Sequence, residues 1–76
     1  MATTNIETRY NLVKEEFHTL KAQAGCAMSL ARHAQREGWD EDARKYMSAF
    51  RVLSAQAKCA HTVMESMLKE MEHELP

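Results

Sequence analysis

Residues 21–38 read KAQAGCAMSLARHAQREG, with alanine at 22, 24, 27, 31 and 34 and only Met28 and Leu30 as large apolar side chains. A helix so poor in bulk cannot fill a core alone, so its packing partner must supply the volume. The second half of the chain carries that volume at matching intervals. Ala43, Tyr46, Phe50, Leu53, Ala57, Ala60, Met64, Met67 and Met71 recur at alternating steps of three and four. In the first half, Ile6, Tyr10, Val13, Phe17, Leu20, Ala24, Ala27, Ala31 and Ala34 alternate four and three. Both series are the seam of a coiled coil.

Folding the chain back at Gly38 and Trp39 pairs positions whose numbers add to 77, and every seam residue then meets a seam residue. The sizes complement one another. Ala31 faces Tyr46, Ala27 faces Phe50 and Ala24 faces Leu53; the roles then reverse, with Leu20 against Ala57 and Phe17 against Ala60. Large against small lets two helices approach closely at interior density, and a slip of one residue destroys the match. Toward the open end the pairs become Val13 with Met64, Tyr10 with Met67 and Ile6 with Met71. Two large residues per layer predict helices that spread apart there, leaving a Met-rich end adaptable enough to accept another molecule.

The predicted fold is therefore all-α: an antiparallel two-helix hairpin on an Ala-rich coiled-coil seam, one domain over 1–76 with helices at 5–37 and 41–74 and a turn at 38–40. Two glycines and one proline in 76 residues leave almost nothing to break a helix. Thr4 and Glu7 form a capping box for the first helix. Gly38 suits its end, and Asp40 is the expected cap of the second, followed by Glu41 and Asp42 near the positive end of the dipole.

A chain this short buries little of its surface, so help from a partner is expected. Leu12, Cys26 and Leu30 on the first helix lie on the same side of the seam as Ala49, Val52, Cys59 and Val63 on the second. That mixed apolar flank predicts a protein interface, most simply a homodimer forming a four-helix bundle, because a two-fold axis lets one patch serve both subunits. The other flank carries Met28, Met47 and Leu68 among Lys14, Lys21, His61 and Leu75, and offers a smaller second contact.

Charge narrows the partners. Ten Lys+Arg against eleven Asp+Glu give a formal net charge of -1, which disfavours general nucleic-acid binding. No stretch approaches the roughly 20 apolar residues of a membrane span and none resembles a signal peptide, so a cytoplasmic protein without membrane contact is expected. Cys26 and Cys59 lack a CxxC spacing and are read as reduced thiols.

Candidate chemistry is sparse. Glu15 with His18 and Glu70 with His73 show the Glu-x-x-His spacing of di-iron bundles, but the hairpin register separates them by roughly 15 Å along the axis. His18, His61 and Glu65 fall on one flank at nearly one level and are weak candidates for a zinc site. Arg32, His33, Arg36, Arg44, Lys45 and Arg51 gather around the turn among Glu37, Asp40, Glu41 and Asp42. There is no Gly-rich phosphate loop, no Ser/His/Asp set and no buried acid pair, so no enzyme and no cofactor are expected.

Residues 42–58, DARKYMSAFRVLSAQAK, resemble the second hairpin helix of helical sponges that bind cyclic oligonucleotides in phage evasion of host defence. The resemblance covers that one helix. It implies a nucleotide ligand, with Arg44, Lys45 and Arg51 as phosphate contacts. The expectation from the residues themselves is a small interaction protein that oligomerises and holds or inhibits another protein, in the manner of adaptors, chaperones and small phage inhibitors. Sequestration of a small ligand and metal binding are the alternatives.

Overall fold

A computed structural model describes residues 6–74 of the chain. Two helices account for nearly all of it: α1 spans Ile6–Glu37 and α2 spans Asp40–Glu74, packed against each other as a hairpin. Thr4 of the expected capping box and Leu75 lie outside the described residues.

The turn shows how two residues reverse a helix. Gly38 takes φ of 76°, a left-handed conformation that L side chains resist. This lets the Trp39 N–H donate to the Ala34 carbonyl at 2.8 Å, while the Gly38 N–H donates to the Gln35 carbonyl at 3.2 Å. Together these are the paired bonds of a Schellman motif, which satisfy carbonyls that the end of α1 would otherwise orphan. The start of α2 differs from the sequence expectation by one residue. The Trp39 carbonyl accepts from the Ala43 N–H at 2.9 Å, so Trp39 holds the capping position and Asp40 is the first helical residue. The tight Gly38 reversal leaves no spare residue, and helix geometry resumes immediately. Asp40, Glu41 and Asp42 then line the first turn, where carboxylates favour the helix dipole. The Trp39 indole lies edge-on to the His33 ring at 5.5 Å and covers the bend.

Burial follows the alternating steps read from the sequence. Among the described residues, every seam position is buried or half-buried, and outside the seam only Met28, Met47 and Ser54 are shielded to that degree. Ala31 and Ala34 have no exposed surface, while Leu20, Ala24, Ala27, Ala43 and Ala57 complete the buried core. A methyl side chain allows the two backbones to come close enough to exclude water. The bulkier residues of the open end, from Ile6, Tyr10 and Val13 to Met64, Met67 and Met71, are only half-buried. The ring contact between Phe17 and His61, with centroids 5.5 Å apart, lies within one residue of the expected pairing.

One layer of two helices makes a slab, with principal extents of 58 × 23 × 12 Å and a radius of gyration of 17.2 Å. A compact chain of this length has a radius nearer ~11 Å. The slab has two broad faces, one on each side of the seam, and both are open to solvent. No described helix is long and apolar enough to cross a membrane.

Candidate functional site

The faces differ in chemistry because the residues flanking the two sides of the seam differ. On one, Leu12, Leu30, Val52 and Val63 are 60%, 48%, 57% and 44% exposed, which is high for large aliphatic side chains. Ala49, Cys26 and Cys59 on the same flank are also exposed, and both thiols are free. Along the outer side of α2, Ala55, Lys58, Cys59, Thr62 and Val63 line a shallow hollow, and its Ala55 and Lys58 reach the groove on the other face as well.

The opposite face is concave. A groove of about 680 Å³ runs along the seam, lined by residues that include Phe17, Ala24 and Gly25 from α1 and Phe50, Ser54 and Ala57 from α2. The small residues make the dip and the two phenylalanines bound it. Its edges are basic: Lys21, Lys58 and His61 line it as well. The Lys21 ammonium lies 5.5 Å from the centre of the Phe17 ring, so its stem covers apolar surface while its charge stays in water. Nearer the turn a second groove, about 370 Å³, is lined by Gln35, Asp40, Ala43, Arg44, Met47 and Arg51.

The sequence candidates sort as follows. Arg44 and Arg51 share the groove near the turn, whereas Lys45 is not part of its lining. His61 Nδ1 is 3.3 Å from Glu65 Oε1, one helical turn away on the surface. His18 instead stands against the Phe17 ring at 5.5 Å, the same ring that contacts His61. Among the described residues no group of three or more His, Cys, Asp or Glu is arranged to hold a metal ion. Leu12, Cys26, Leu30, Ala49, Val52, Cys59 and Val63 are all solvent-exposed in the single hairpin.

What the sequence reading missed is the groove. It placed Lys14, Lys21 and His61 on this flank but grouped Arg32, Arg44 and Arg51 by nearness to the turn rather than by face. The usable signal was the same seven-residue count that identified the seam: Arg44, Arg51 and Lys58 are seven apart and follow seam positions 43, 50 and 57 directly.

No protein-family model, no curated protein and no solved structure matches the chain.

Proposed function

We propose that the chain is a non-enzymatic interaction module of the cytoplasm: a helical hairpin that pairs through its apolar face into a homodimeric four-helix bundle and binds or inhibits another protein. The observation that carries this reading is the concentration of Leu12, Leu30, Val52 and Val63 on one face, with no large side chain fully buried among the described residues. Two-helix slabs lack the depth to bury such residues internally, and stacking one slab on another supplies it.

Area arithmetic supports a second copy. The chain exposes 5996 Å², whereas a compact monomer of 8.7 kDa exposes about 4,700 Å² by surface scaling. The excess, about 1,300 Å² per chain, comes to about 2,600 Å² over two copies, which falls in the range of obligate homodimer interfaces. A two-fold axis would bring the aliphatic residues of one face onto their own copies.

Sedimentation equilibrium of the wild type and of Val52→Glu tests the reading. The wild type should sediment as a dimer and the variant as a monomer of unchanged helix content, since a carboxylate in the centre of a dry interface is costly to desolvate. A variant that remains fully dimeric would remove the proposed face.

A second reading has one observation in its favour. Arg44 and Arg51 line one groove, a geometry suited to a phosphorylated small ligand. Excess absorbance at 260 nm in the purified protein, lost in Arg51→Glu, would establish it.

A further inference from the structure

The groove face carries a charge pattern that the net charge of -1 conceals. Lys21 and Lys58 line the larger groove, and Arg44 and Arg51 line the one beside it. Helical spacing adds Lys14, seven residues before Lys21, and Arg32, seven after the groove residue Gly25. Six of the chain's ten Lys and Arg therefore share one face. They form two rows, Lys14, Lys21 and Arg32 on α1 and Arg44, Arg51 and Lys58 on α2, with the groove between them. The acids of this flank stand at its ends, Asp40 by the turn and Glu7, Glu65 and Glu72 at the open end. Among the described residues none of the six cations is paired with a carboxylate; the contact that does form is between the His61 ring and Glu65.

From this we infer that the groove takes an acidic amphipathic helix of a partner protein as a third helix laid against the hairpin. The inference rests on the interaction reading above and names the partner's chemistry. An apolar groove rimmed on both sides by cations is complementary to a helix with an apolar stripe rimmed on both sides by carboxylates. The small residues Ala24, Gly25, Ser54 and Ala57 leave the hole into which a large apolar side chain of that helix packs. The face from Lys14 to Arg32 is 19 residues of helix, or about 27 Å from end to end, so the partner segment is about five turns long. Nucleic acid fits less well. Phosphates would meet the basic rows, but a polar backbone laid over a floor of Ala24, Gly25, Ser54 and Ala57 finds the Ser54 hydroxyl as its one side-chain donor there. The groove lies across the slab from the dimer face, so both surfaces can be used at once.

The test is fluorescence anisotropy with a dye-labelled, capped peptide spanning that length, leucines three and four apart and glutamates on both sides. Its controls are a scrambled peptide of the same composition and an oligothymidylate of matching length. The amphipathic peptide should bind, gain helix content, and lose affinity as salt rises. The controls should bind at least about tenfold more weakly, and the double variant Arg51→Glu, Lys58→Glu should weaken the peptide by a similar factor. Val52→Glu, on the other face, should leave peptide binding unchanged. Absence of binding, equal binding of the scrambled peptide, or tighter binding of the oligonucleotide would overturn the inference. A dimer that ignores the peptide removes the groove and leaves the assembly standing; a monomer that binds it removes the assembly and leaves the groove.

Discussion

Ala31→Leu places three extra heavy atoms where no surface is exposed. Ala31 is 0% exposed, one turn before Ala34, which is also fully buried, and the register expected from the sequence sets Tyr46 opposite. The added side chain has nowhere to go within the seam, so either the helices separate near the bend or Tyr46 leaves its position. Overpacking of this kind costs about 1–3 kcal/mol. For a domain of this size each kcal/mol moves Tm by about 4–8 °C, giving an expected fall of roughly 4–24 °C. Ala22→Leu is the matched control, because Ala22 is an exposed residue of the same helix and its substitution changes helix propensity by only a few tenths of a kcal/mol. Thermal melts followed by circular dichroism, at one protein concentration for all three proteins, measure the difference. Equal melting temperatures for the two variants would refute the close-packed alanine seam, since burial is the property that separates the two sites.

The glycines should respond in opposite directions. Gly38→Ala forces a side chain into φ of 76° and should cost about 1–2 kcal/mol, although a Cβ there meets nothing within 4 Å. Gly25→Ala, also free of contacts but inside α1, should stabilise by up to about 1 kcal/mol; denaturant titration of both variants reads the signs. Cys26 and Cys59, exposed in the single hairpin, lie on the apolar face, so their reaction with a thiol reagent should slow as protein concentration rises. In Val52→Glu the rate should be fast and independent of concentration. A slow, concentration-independent rate in both proteins would contradict that placement.

The hairpin was legible because its determinants are local and periodic. Alternating steps of three and four fix which side of each helix faces inward, and the complementary sizes of Ala31 with Tyr46 or Phe17 with Ala60 fix the register. The helix cap was misplaced by one residue because Asp40 has the better capping side chain, whereas the carbonyl geometry set by Gly38 gives the position to Trp39. The groove was harder to see. Its floor is built from Ala24, Gly25, Ser54 and Ala57, residues with too little side chain to stand out in a sequence, and concavity exists only once two helices lie together. The basic face was hidden for a related reason. Neighbours in the chain such as Arg44 and Lys45 point about 100° apart around a helix, so counting charges along the sequence mixes faces that the fold separates.

Native mass spectrometry of the untagged chain tests the account most directly, because mass reports assembly and retained ligand together. The expected species has twice the 8.7 kDa of one chain, with no added metal or nucleotide mass. A single-chain mass at every concentration would contradict the paired slab, and a dimer carrying nucleotide mass would replace the protein-binding reading with ligand sequestration.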